Sequence, residues 1–215
     1  MWSSLVTVYL ALLAVVSMLT LNKGTKNDAT ANFFRLYMLV TTVSEGVSFF
    51  LYLNGEYNVI VYHIYNPIQL LILSAYYNQI ISFFKPKGIG YAIGVTGLLI
   101  SIVNSLFIQQ PTTSLNSYFI IIEALFVISM TLCYFYDFLN TKHITKHFTT
   151  PDFWISCLLL LFWSFTFFRW LASLSMPGVV SANIYYILYM MWAINIITYT
   201  GFGLVFLFYR KLLPR

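Results

Sequence analysis

Charge is scarce in this chain. Only 8% of its 215 residues are Asp, Glu, Lys or Arg, six of them acidic, and there are only three His and two Cys. A soluble domain carries about 25% charged residues, so a water-soluble fold would have too little polar surface to cover its apolar interior. The few Cys exclude a disulfide framework: Cys133 and Cys157 fall in separate apolar runs and read as packing residues. Two of the three His, His143 and His147, lie together in "TKHITKH", so a three-His zinc site of the intramembrane hydrolase kind cannot form. No Lys stands inside an apolar run, which excludes a retinal Schiff base. Neither "GxSG" nor "GxGD" occurs, and no Ser or Cys stands beside a base. No basic stripe with interleaved aromatics is present, so nucleic acid is excluded as a partner. No catalytic residue, cofactor or resident metal is expected.

What the chain has in abundance is apolar and aromatic side chains, 60% and 20% of the total, with a mean hydropathy of +0.81. Its solvent is a lipid bilayer. The fold class is all-α and polytopic, with seven transmembrane helices at about 2–21, 33–54, 58–84, 89–108, 117–140, 153–176 and 183–209, each long enough for a hydrocarbon core of ~30 Å. The 215 residues form one seven-helix domain. Breakers such as "NGEY", "KPKG" and "SMPGVVSA" separate the runs. The runs lack the ten-residue alternation of membrane strands. The first run lacks the basic start and small-residue cleavage site of a signal peptide. Trp2, Tyr57, Tyr91, Tyr118 and Tyr209 read as interfacial anchors, and "GFG" at 201–203 as a place of close helix packing.

The basic residues set the orientation. Lys23, Lys26, Arg35, Lys85, Lys87, Lys142, Lys146, Arg210, Lys211 and Arg215 all fall at one end of the expected bundle. The positive-inside rule places that end in the cytoplasm and the N-terminus outside. The formal charge of +5 thus reports topology.

Arg169 is the eleventh basic residue, and it sits within "LFWSFTFFRWLASLSM". At 1.5 Å per residue it lies on the order of 10 Å from the outer end of helix 6, with Glu45 roughly 13 Å, His63 about 8 Å and Glu123 about 9 Å down their own helices. Four ionisable side chains on four helices thus share one level. Facing lipid, Arg at mid-membrane costs roughly 2.5–3.5 kcal/mol on translocon scales; facing inward, it can pair with Glu45, Glu123 or both. On helix 3, Tyr62, Asn66 and Gln69 make a polar stripe with His63 at its edge, and Pro67 lies within it as a candidate kink. On helix 7, Tyr189, Trp192, Asn195 and Tyr199 make another, and Asn104 of helix 4 lies at similar depth. The bland reading is an ion-pair network that fixes helix register. The functional reading is an outward-facing polar cavity, with Glu45, His63, Asn66, Gln69, Glu123, Arg169, Trp192 and Asn195 as ligand-binding residues. Two carboxylates against one guanidinium and a neutral His63 would make such a cavity prefer a cationic or hydrogen-bond-donating small ligand, and protonation of His63 would make it a sensor of external pH. A Glu45/His63/Glu123 metal site fits by residue type, but Arg169 opposes it. The His143/His147 pair reads as a basic segment against anionic headgroups.

The segments "IVNSLFIQQ", "NSYFIIIEALFVISMTLCYFYDFL" and "PDFWISCLLLLFWSFTFFRW" resemble a family of seven-helix membrane proteins of Bacteroidota, with the "YFY" end of helix 5 and the "FWI" opening of helix 6. The likeness covers about residues 62–175 and implies no residue roles. Such modules are similar to the sensory membrane halves of histidine kinases. The resemblance implies a receptor-like or sensory protein of the bacterial inner membrane. With no soluble domain before Arg215, signals would pass to a separate cytoplasmic partner such as a histidine kinase. A small-solute transporter of three-plus-one-plus-three design, an intramembrane enzyme using Glu45 or Glu123, an accessory or effector subunit and a homo-oligomer are the alternatives.

The orientation is testable by labelling intact cells. Single cysteines at Gly55 and Thr112 are expected to react with an impermeant thiol reagent from outside, and those at Gly24 and Thr145 are not; the reverse pattern would invert the topology.

Overall fold

A computed structural model describes residues 2–21, 29–140, 150–176, 178 and 184–212. Its seven principal helices are α1 (Trp2–Thr20), α2 (Ala29–Leu53), α3 (Val59–Ile80), α4 (Ile89–Val103), α5 (Ser117–Leu139), α6 (Pro151–Ser175) and α7 (Ile184–Leu207). No strand occurs among the described residues. Six helices, α2 to α7, are long and apolar enough to cross a membrane. The fourth reaches that length only with its last turn, Asn104–Ile108, which widens into a π-helix. α1 is apolar over Val6–Thr20. His143, His147 and their neighbours lie outside the described residues.

Helix ends fall where the backbone needs glycine or loses its partners. Gly55 and Gly88 adopt φ +72° and +62°, the left-handed region that L side chains avoid, and they turn the chain before α3 and α4. α3 stops at Ile80, short of the expected 84. There Ile81 goes extended and the Ser82 amide and hydroxyl both donate to the Asp137 carboxylate, at 2.8 and 2.6 Å. Pro67 sits buried inside α3, which continues through it.

Packing joins α1 to α2, α2 to α3, α3 to α5, α5 to α6, α6 to α7 and α7 back to α1. Six helices therefore close a ring. α4 stands outside it, against α3 and α5. The reason is local: Gly90, Gly94, Gly97 and Ser101 form the buried face of α4. A Cβ at Gly90 would lie 2.6 Å from Asn78 Cβ, and one at Gly94 3.2 Å from Ser74 Cβ, so the two backbones approach as only small residues allow. Asn78 Oδ1 accepts from the Gly90 amide at 3.0 Å and caps this seam. On α7, a Cβ at Gly201 would meet Leu158 of α6 at 2.7 Å, and one at Gly203 would meet Val16 of α1 at 3.2 Å.

At the end of the ring that carries Lys85, Lys87 and Lys211, the interior is filled by aromatic rings. Phe34 contacts Phe202 at 4.7 Å, Tyr37 at 5.2 Å and Phe206 at 5.3 Å, all of them buried. Tyr209 belongs to this stack, 5.4 Å from Phe206 and buried, which corrects its reading as an interfacial anchor. Tyr57, Tyr91 and Tyr118 are exposed, as interfacial residues are. Cys133 and Cys157 are free and half-buried.

Candidate functional site

Above the aromatic fill the ring is hollow. A cavity of about 530 Å³ lies toward the other end, where α1, α5 and α7 begin and α2 and α6 finish. Every helix of the ring contributes a wall, whereas no residue of α4 does. The polar stripe of α3 delivers Tyr62, Asn66 and Gln69, and that of α7 delivers Trp192, Asn195 and Tyr199. Glu45 of α2, Glu123 of α5 and Arg169 of α6 complete the polar lining. Tyr189, expected on the α7 stripe, is instead 47% exposed on its outer face.

Seven of the eight residues expected to converge therefore line one cavity: Glu45, Asn66, Gln69, Glu123, Arg169, Trp192 and Asn195. His63 does not, and this corrects both the four-charge cluster and the pH-sensing role drawn from it. Its neighbour Tyr62 faces the cavity, and one residue further turns a helix by about 100°, which aims His63 at α4. There His63 Nε2 donates to the Ser114 carbonyl at 2.9 Å; a carbonyl only accepts, so in the neutral ring Nδ1 accepts a hydrogen bond from the Ser105 hydroxyl at 2.8 Å. Asn104 joins the same lateral network, donating to Asn116 Oδ1 at 2.6 Å and Gln109 Oε1 at 3.2 Å. With His63 removed from the carboxylates, no group of three metal-ligating side chains remains among the described residues.

The expected pairing of Arg169 is also corrected. Among the described residues no hydrogen bond or ion pair joins it to either acid. Its Cζ lies 4.4 Å above the ring of Trp170, its Nε has no partner, and both oxygens of Glu123 have none. Shared depth does not imply shared direction: Glu45, Glu123 and Arg169 stand on different walls, and a guanidinium stacks readily on the indole beside it. Glu45 is served by one long hydrogen bond, from Tyr62 at 3.4 Å. Glu123 is 0% exposed. Asn66 Nδ2 and Trp163 Nε1, on the same lining, are likewise buried and without partners.

By contrast the floor is tied. Gln69 donates to Tyr37 Oη at 3.2 Å, and Thr41 and Tyr65 share a hydrogen bond of 2.9 Å. Tyr9 and Tyr199 meet edge-on at 5.8 Å, and Tyr9 meets Trp192 at 5.2 Å. Sequence reasoning missed Trp163, whose unpartnered indole N–H is separated from Arg169 by less than two helical turns on α6. That spacing of 163, 166 and 169–170 was the available signal.

No protein-family model, no curated protein and no solved structure matches the chain. The functional reading therefore rests on this geometry.

Because Arg169 and Glu123 are not partners, their removal should be additive. Glu123→Leu is expected to raise stability in detergent by about 1–3 kcal/mol, because it deletes a buried acceptor with nothing to accept. Arg169→Leu combined with it should give the sum of the singles within about 0.5 kcal/mol in a double-mutant cycle. A coupling of about 3–5 kcal/mol would instead reveal a buried ion pair.

Proposed function

We propose that this chain is a seven-span receptor-like or sensory protein of the bacterial cytoplasmic membrane, with its N-terminus outside, that binds a small ligand in the ring cavity. The observation that carries this reading is where the cavity lies in the ring. Polar walls occupy the half remote from the basic residues, and the Phe34–Phe202–Phe206 stack closes the other half. The charge bias of the connections sets the polar half toward the outside. A pocket in the outer half above a filled inner half suits capture of a ligand, whereas a conduit for solutes needs a site that connects to both faces.

α7 supplies the route for a signal. Trp192, Asn195 and Tyr199 stand on the cavity wall, and Phe202 and Phe206, less than two turns further, stand in the closing stack. Between them, Gly201 and Gly203 seat α7 closely against Leu158 of α6 and Val16 of α1, so a shift of α7 is passed to both neighbours. A ligand that favours one position of the α7 wall over another shifts the stack by the same difference in binding energy. The basic end of the bundle then presents that shift to a cytoplasmic signalling partner, for which a histidine kinase is the natural class.

The reading is tested by access. In a chain with Cys133→Ser and Cys157→Ser, a cysteine at Asn195 is expected to react with an impermeant thiol reagent added to intact cells. Reaction only in inverted vesicles would place the opening on the cytoplasmic side and overturn the proposal.

A further inference from the structure

We infer that the cavity takes a small organic cation, an ammonium group on an apolar body, with Glu123 as its principal anchor and Glu45 as the second. This inference rests on the reading of the cavity as a binding site and names the chemistry of its ligand.

The first argument is the distribution of unused hydrogen-bonding capacity. Glu123 is among the lining residues, with both carboxylate oxygens fully buried and without partner, and Glu45 receives only the 3.4 Å contact from Tyr62. Buried carboxylate oxygens accept and do not donate when ionised, so they call for N–H or O–H groups. The protein has a cation nearby and does not use it: Arg169 is held over Trp170. With every group ionised, the lining holds two carboxylates against one guanidinium, a formal balance of −1 that a monocation would neutralise. An anion would have only Arg169 to pair with and would meet both acids on the same lining.

The second argument is the shape and surface of the cavity. Tyr65, Phe162, Trp163, Trp192 and Tyr199 present aromatic rings to the same space. Ring faces attract a desolvated ammonium and pack its hydrocarbon. A bare metal ion needs a tight set of oxygen, nitrogen or sulfur ligands, and no such group of three exists among the described residues. The volume of about 530 Å³ falls in the range of small-molecule sites. Asn66 Nδ2 and Trp163 Nε1 add two unused donors, which suit a hydroxyl or carbonyl on the ligand body.

The test uses three probes of one body: 2-phenylethylammonium, the neutral 2-phenylethanol and the anion 3-phenylpropanoate. Each is titrated into purified full-length protein in detergent, with thermal unfolding and calorimetry as readouts. The ammonium probe is expected to raise the Tm and to bind at least about tenfold more tightly than the other two, the scale of one charge-assisted hydrogen bond. Glu123→Gln, which keeps the side-chain shape, should weaken the ammonium probe about tenfold or more and leave 2-phenylethanol unchanged. Glu45→Gln should weaken it less. Equal binding of all three probes, or undiminished binding of the ammonium probe to both variants, would overturn the cation inference while leaving the cavity a binding site. A cysteine at Asn195 that reacts only from the cytoplasmic side would remove the outward-facing reading itself, so the two failures are distinct.

Discussion

The close seating of α4 on α3 is the constraint from which the rest of the structure follows. Gly90, Gly94, Gly97 and Ser101 give α4 one face without bulk, and that face fits against Leu70, Leu71, Ser74 and Asn78. In lipid there is no hydrophobic drive between helices, so close packing and hydrogen bonds decide which helices pair. With α4 committed to the outside of α3, the other six helices close on themselves. Six helices in a ring leave a larger interior than their side chains fill at both ends. One end is filled by large rings, and the other is left hollow and lined with polar groups.

The same seam divides the polar residues of α3 into two sets with different work. Tyr62, Asn66 and Gln69 look into the ring, and His63 looks outward to Ser105 and Ser114. His63 uses both ring nitrogens and ties α3 to Ser105 and to the connection before α5, next to the π turn at Asn104. Of the inward set, Tyr62 and Gln69 are bonded, whereas Asn66 Nδ2 and, across the ring, both Glu123 oxygens have no partner. A polar network whose members all have partners is a structural lock, whereas one whose buried acceptors have none costs stability that only an incoming group can restore. Glu123, Asn66 and Trp163 are of the second kind, whereas His63, with both ring nitrogens bonded, is of the first.

The sequence was informative about depth and poorly informative about direction. A bilayer demands about 20 apolar residues per crossing, so α5, expected at 117–140, is found at Ser117–Leu139, and α7, expected at 183–209, at Ile184–Leu207. Depth along an axis follows from counting, and it placed Glu45, Glu123 and Arg169 at one level. The direction of a side chain around its axis depends on which neighbours its helix packs against. Depth alone therefore assigns His63 to the interior and gives Arg169 an acid for a partner, where the adjacent Trp170 takes it. The needed signal was present in "GIGYAIGVTGLLIS": small residues at 90, 94, 97 and 101 mark one face of α4 for a close partner. Followed by the polar segment "NSLFIQQPTTSLNS", they offer His63 an outward set of partners.

The central claim is that Glu123 keeps its carboxylate free for an incoming cation while Arg169 rests on Trp170. An experimental structure of the protein in a lipid nanodisc, determined with 2-phenylethylammonium present, tests it most directly. The account predicts ligand density within the six-helix ring, its nitrogen at hydrogen-bonding distance from Glu123, and Arg169 still stacked on the Trp170 ring. A collapsed ring with Arg169 bonded to Glu123 and no ligand between them would contradict it.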